Sequence, residues 1–332
     1  MLGAHHSEQR FRGWLLIGLR WLAGLGILGI LLHFLPLDLL RGAIQRVPAT
    51  RFIAVLLGYL LAHSAGIAKW RMVVNAAGAR LDFATSAQCY TGGLFATLFL
   101  PSILGGDVVR LAVGLRRSPN PAAVLAGNVA DRFLDALSQG GLVLLGLLLL
   151  PGSVPVSLQA QAGKGLLVFG IAAAAVVLIF VLLYRQLLAG RSVRFRRRLG
   201  RLRHALRSVS RRWAVLAFGW VLGTAIQSTF LILTALLAIS CGLFLPLRVW
   251  LFAWPLAKLA AVLPLTQGGI GVREAALVGL LSPFGAPAHL VLAAGLVWEG
   301  VVITGGLLAG FTALGLRQVN TALGEKRKPA GG

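Results

Sequence analysis

Residues 100–110 read LPSILGGDVVR, and residues 263–273 read LPLTQGGIGVR. Aligned without a gap, the stretches share Leu100/Leu263, Pro101/Pro264, Gly105/Gly268, Gly106/Gly269, Val109/Val272 and Arg110/Arg273. Each interrupts a long apolar segment. Proline removes a backbone donor and paired glycines weaken a helix, so each segment is expected to dip into a membrane and come back out as a re-entrant hairpin.

The segments around them settle the class. Apolar runs occupy about 14–35, 52–70, 84–116, 121–150, 164–185, 213–239, 249–285 and 287–315, and most are long enough to span hydrocarbon as a helix. With 58% of the 332 residues hydrophobic and 12% charged, the apolar surface exceeds what one soluble core can hide. The expected fold is an all-α polytopic membrane protein: one transmembrane domain over 1–332, with six full spans and the two broken hairpins at 84–116 and 249–285. Arg10 and Arg12 precede the 14–35 run as in a signal peptide, but no small-residue cleavage site follows, so this run reads as a retained helix. Cys89 and Cys241 form no CxxC or Cys/His cluster and the six histidines are scattered, so no metal or other cofactor is indicated.

Basic loops orient the chain. Between Arg185 and Arg212 stand Arg191, Arg194, Arg196, Arg197, Arg198, Arg201, Arg203, Arg207 and Arg211, whereas 151–163 carries no charge. The arginine loop is therefore placed in the cytoplasm. Propagation puts both termini, the 69–80 turn with Lys69, Arg71 and Arg80, the Arg116–Arg117 pair and the tail Lys326–Lys328 on the same side. The 36–51 connection, with Arg41, Arg46 and Arg51 against Asp38, falls outside and runs against the rule. In this orientation 52–150 and 213–315 contain the same elements in opposite directions, an inverted-topology repeat joined by the basic linker 185–212. Interrupted helices at matching places in inverted halves point to a transporter's binding site. Phe195, Leu199, Leu202, Leu206 and Val209 share one helical face of the linker. They suit a helix lying on anionic headgroups, or simply a strong determinant of topology.

From Pro101 to Arg110 is about 13–14 Å of helix at ~1.5 Å per residue, so the breaks can lie near midplane with Arg110 reaching the inner interface and Arg273 the outer. A half-helix beginning after each break would aim free N–H groups and its positive dipole end at the membrane interior, a site for phosphate or carboxylate. Asp107 in the first turn is either a helix-start acid or a ligand. The second half has Ile270 there and its acid at Glu274, so the halves are not equivalent.

Charge inside a span is costly and marks function or a pairing partner. Asp131 and Asp135 share a helical face, and Arg132 and Asp135 are spaced to pair. They form either a helix-locking ion pair or a headgroup or proton site. Glu299 stands 35 residues after Pro264, as Asp135 stands 34 after Pro101. It needs Lys258, Arg273 or a proton, and Lys258 is expected to meet Glu274 or Glu299 across the hairpin. No catalytic constellation emerges. GGIGVRE follows a Pro-broken apolar helix and not a strand, so it is no dinucleotide fingerprint; GGD at 105–107 has Leu104 where an intramembrane aspartyl protease has glycine. The net charge of +23 comes with no nucleic-acid-binding module.

The stretches WRMVVNAAGARLDFATSAQCYTGGLFATLFLPSILGGDVVRLAVGLRR, NVADRFLDAL and LPLTQGGIGVREAAL resemble the transmembrane region of lysylphosphatidylglycerol synthases and their stand-alone flippase-like relatives, over about 52–315. The motif residues carried over are Arg71, Pro101, Gly105, Gly106, Asp107, Arg110, Arg132, Pro264, Gly268, Gly269, Gly271, Arg273 and Glu274. The resemblance implies a protein of the bacterial or archaeal inner membrane that moves lipids between leaflets. After 315 only a short basic tail remains to Gly332, so the synthases' cytosolic aminoacyl-transferase domain, and lipid synthesis with it, is not expected. A non-enzymatic flippase is the leading expectation. Its cargo would be an anionic phospholipid or isoprenoid-linked lipid, bound by Arg110, Arg273, Lys258 and the half-helix ends. The alternative is a membrane subunit that holds lipid for, or scaffolds, a partner glycosyl- or aminoacyl-transferase.

Overall fold

The computed structural model describes residues 37–100, 105–150, 193–261 and 269–326, with the isolated positions 29, 33 and 266. The apolar runs at 14–35 and 164–185, Pro101, Pro264 and Gly268 lie outside the described residues. Ten α-helices and one 3-10 turn make up the rest, with no strand among the described residues. In chain order they are α1 (Leu37–Gln45), α2 (Ala49–Ala76), α3 (Phe83–Thr97), α4 (Gly105–Arg117) and α5 (Pro121–Leu148). There follow α6 (Val193–Ser210), α7 (Trp213–Ser240), α8 (Leu247–Ala260), α9 (Val272–Leu281) and α10 (Ala288–Lys326).

Ala49–Ala76, Trp213–Ser240 and Ala288–Gln318 are long and apolar enough to cross a membrane. Helix α5 matches α2 and α7 at 28 residues but carries Asp131, Arg132 and Asp135. Large apolar side chains stand bare on the outward faces, Leu61 at 71% and Phe311 at 72% exposure among them. Such surface is stable only against lipid.

Helices α2 and α7 end alike. Gly78 (φ +100°) and Gly242 (φ +94°) take the left-handed conformation after the last turn, which glycine adopts without steric penalty. The turn after Gly78 is clamped by Asn75, whose side chain accepts from the Leu81 N–H and donates to the Leu81 carbonyl, both at 2.8 Å. Arg71 adds a bond from Nε to the same carbonyl at 3.2 Å. Arg71 is thus a turn clamp. Because α2 runs on to Ala76, Lys69 lies well inside it, not in a cytoplasmic turn as the sequence reading had it.

The helices flanking each break pack on each other, α3 on α4 and α8 on α9. In the first, Gly93 and Gly106 let the backbones meet: a Cβ on Gly106 would collide with Thr97 Oγ1 and the Gly93 carbonyl. The packing has a regular order. Helices α3 and α10 pack together, as do α8 and α5; α2 touches α5 as α7 touches α10; α4 touches α5 as α9 touches α10; and α2 and α7 pack on each other. Moving every helix five places along the chain reproduces these pairs. The exchange also maps α6 on α5 to α1 on α10. The buried apolar residues fall into two clusters, one including Trp70, Val73, Val74 and Cys89, the other including Phe230, Trp250, Phe252 and Trp298.

Helix α6 carries its apolar stripe as the spacing predicts, but that stripe faces protein. Val209 and Ala205 are buried in the first cluster, with Leu202 and Leu206 packed against it. Ser208 Oγ donates to the Ala76 carbonyl at 3.2 Å. Among the described residues the stripe from Leu199 to Val209 is buried or half-buried against α5 and α2, while Arg197, Arg201, Arg203 and Arg207 are turned outward.

Candidate functional site: two charged clusters joined by aromatic rings

The first cluster gathers three cations and three carboxylates from three helices. Lys69 of α2 lies 2.9 Å from Asp131 and 2.6 Å from Asp135 of α5. Their i, i+4 spacing puts both acids on one face, so one ammonium group bridges them. Arg132 pairs with Asp135 at 3.2 Å, as the i, i+3 spacing predicts, and with Asp107 of α4 at 3.1 Å. Arg110 approaches Asp107 at 3.5 Å and Asp131 at 3.9 Å. Its guanidinium lies over the Tyr90 ring, 4.2 Å from the centroid, with Trp70 at 5.8 Å. Trp70 in turn donates from Nε1 to Asn128 Oδ1 at 3.0 Å.

Lys69 is the member that sequence reading missed, since it was assigned to a loop. The signal was present: NAAG at 75–78 ends in a helix-stopping glycine, which carries α2 beyond Lys69. Arg110, expected to reach an interface, is 6% exposed and turned into the protein, where Tyr90 and the carboxylates hold it.

The second cluster is smaller and tighter. Arg273 of α9 bonds Glu274 at 2.5 Å and Glu299 of α10 at 2.8 Å. The other oxygen of Glu274 accepts the Gly271 N–H at 2.8 Å, so a carboxylate of the chain itself sits at the N-terminus of α9. Gly271 (φ +82°) is the residue before α9, and Gly269 (φ +82°) stands in the preceding turn. At the equivalent end of α4, Gly105 and Gly106 are buried in the first turn and Asp107 follows. Each of these two helices has an acid in its own first turn, Asp107 in α4 and Glu274 in α9.

Lys258 is placed differently from the expectation. Nζ donates to Gln227 Oε1 at 2.7 Å and lies 5.2 Å from the Phe230 ring centroid. Its partners are a neutral amide and a ring because Arg273 takes both Glu274 and Glu299. Among the described residues no carboxylate pairs with Lys258.

The rings connect the clusters, and sequence reading did not find them. Phe230 packs on His63 at 5.0 Å and on Trp298 at 6.1 Å. From His63 the contacts continue to Tyr90, whose hydroxyl is 3.2 Å from His63 Nδ1 and whose ring carries Arg110. From Trp298 they continue to Trp254 at 5.3 Å, and Arg273 lies 5.8 Å from that ring. Each hairpin arginine therefore faces an aromatic side chain of its own hairpin. Lys258 stands between the clusters, within electrostatic range of Asp135, Arg132 and Arg273.

The electrostatics are uneven. Five of the nine acids in the chain belong to the two clusters, so carboxylate is concentrated where cations must be held. Arg273 is locked by short bonds. Arg110 is held loosely: its contacts exceed hydrogen-bond length, and its buried Nε has no hydrogen-bond partner among the described residues. Trp254 Nε1 is likewise buried and unmatched. Buried donors left without acceptors are costly unless something else meets them.

No curated protein matches the chain. The family model described as "Lysylphosphatidylglycerol synthase TM region" matches residues 17–310, a stretch that takes in both hairpins, both charged clusters and the rings between them. A chain whose described residues are all helical, with spans of membrane length and this match, belongs to the lysylphosphatidylglycerol synthase transmembrane-region family, a family of membrane regions linked to lipid handling.

Proposed function

We propose that the protein is a lipid flippase that carries an anionic phospholipid or isoprenoid-linked lipid between leaflets of a bacterial or archaeal inner membrane. The observation that carries this reading is the cation Lys258. It stands on a strip of rings between two charged clusters, held by an amide and not by an acid. A partly desolvated ammonium that pairs with no carboxylate among the described residues is a site for an anion. Arg110, with unmet donors at the far end of the Phe230–His63–Tyr90 strip, supplies the second contact. The phosphate of a headgroup would pass between them while its acyl chains stay in lipid.

In this reading the other charges have positioning roles. Lys69, Asp131, Asp135, Arg132 and Asp107 fix α2, α4 and α5 to one another, and Glu274 and Glu299 hold Arg273 so that α9 is anchored on α10. The glycines Gly105, Gly106 and Gly269 leave room for close approach within each hairpin. The packing order that repeats after five helices supports two equivalent halves; in this reading they are inverted, with the termini in the cytoplasm, as the basic loops suggest. Rocking one half against the other would expose the Lys258 side and the Arg110 side in turn.

The test is reconstitution of the pure protein into liposomes holding trace fluorescent lipids of three kinds: anionic phospholipid, isoprenoid phosphate and zwitterionic phospholipid. Faster exchange of one or both anionic kinds than of the zwitterionic kind is expected. If none moves while a transferase co-purifies with the protein, it is a lipid-holding subunit instead.

A further inference from the structure

A second lipid site lies away from the charged clusters. Between α5, α6 and the start of α7 runs an open groove of about 770 Å³. Its wall is apolar: Val129, Phe133 and Leu137 of α5 recur every four residues, and Trp220 of α7 stands opposite. These four are 54%, 64%, 47% and 40% exposed, so no described part of the protein fills the groove. Asp131 and Asp135 lie two residues off this stripe, about 200° around the helix at 3.6 residues per turn, so groove and ion cluster use opposite faces of α5.

The rim of the groove is basic. Arg203 and Arg207 line it from the outward side of α6, a helix with seven arginines and no acid. An apolar trough walled by membrane-length helices and lined on its α6 side by two guanidinium groups has the polarity of one lipid molecule. Tail and head are matched separately: hydrocarbon against Phe133 and Leu137, phosphate against the arginine fork.

We infer that this groove binds one anionic diacyl phospholipid, acyl chain along α5 and headgroup on Arg203 and Arg207, independently of the transported lipid. Seated there, it would fasten α6 to the outer face of the span whose inner face holds Lys69.

Native Trp220 reports on occupancy. The protein is placed in phosphatidylcholine vesicles containing phosphatidylglycerol, with bromine on the acyl chains of one lipid or the other. The Trp220 signal is the difference between native protein and Trp220→Phe. At equal mole fraction, brominated phosphatidylglycerol is expected to quench that signal roughly tenfold more effectively than brominated phosphatidylcholine. In Arg203→Gln/Arg207→Gln the preference should fall to about unity, while Arg211→Gln/Arg212→Gln, which removes equal charge off the groove, should keep it. Equal quenching by both lipids in the native protein would overturn the proposal, as would no quenching of Trp220, which would mean that protein covers the groove. Loss of preference in the Arg211/Arg212 variant would overturn it too, by assigning the effect to general surface charge.

Discussion

Lys69 is 3% exposed and lies within 3 Å of two carboxylates, so its removal takes the nearest cation from both and leaves Asp131 and Asp135 only the longer contacts to Arg132 and Arg110. Removing one partner of a buried ion pair costs up to about 3–5 kcal/mol, and Lys69→Ala should accordingly lower the thermal midpoint in detergent more than any substitution at Arg71, whose contact is one bond to a turn carbonyl. An equal shift for both would deny Lys69 its bridging role. The two hairpin arginines should separate in the same way. Arg273→Ala breaks short bonds to Glu274 and Glu299 and should lose stability and transport together. Arg110→Ala, removing a loosely held group, should slow transport with the smaller change in midpoint. At this scale the sequence is partly transparent: the repeat marks Arg110 and Arg273, and spacing marks the Arg132–Asp135 pair. Lys258 is marked too, but with the wrong partner, because nothing in spacing tells that Arg273 satisfies both nearby glutamates. His63, Phe230 and Trp298 carry no signal, since aromatic residues in apolar helices read as ordinary core.

Each hairpin depends on a few positions where no side chain fits. Gly106 faces Gly93 across the first hairpin, and a methyl group there meets backbone that cannot swing aside. Gly106→Ala is expected to destabilise by about 1–3 kcal/mol, as overpacking does elsewhere. Gly279→Ala in α9 meets nothing within 4 Å and should leave the thermal midpoint unchanged or raise it. A Gly106→Ala protein as stable as Gly279→Ala would show that α3 and α4 do not cross closely. Elements were legible where apolar length and Pro/Gly punctuation agree, as at 121–150 and 213–239. They were misjudged where polar residues continue a helix, as at the end of α2. The stripe of α6 was legible as a stripe, but periodicity cannot tell whether it faces lipid or protein.

At the scale of the molecule, the packing order that repeats after five helices makes α1 the counterpart of α6. This gives the 36–51 connection a place: Arg41 belongs to the counterpart of the basic helix and Arg46 follows its last residue, on the opposite membrane face if the halves are inverted. Single cysteines at the exposed positions Arg41 and Arg201 check it, because Cys89 and Cys241 are both buried and should stay silent to an impermeant maleimide. Arg41→Cys should react in intact cells and Arg201→Cys only after permeabilisation; reaction from one side in both contradicts inversion. The central claim, that an anion crosses by way of Lys258, is tested most directly by leaflet exchange of a fluorescent anionic phospholipid in proteoliposomes. Lys258→Ala should exchange it at least roughly tenfold more slowly than native protein, the loss of one charge-assisted contact, while Arg248→Ala exchanges it at the native rate. Equal rates for native protein and Lys258→Ala would contradict it.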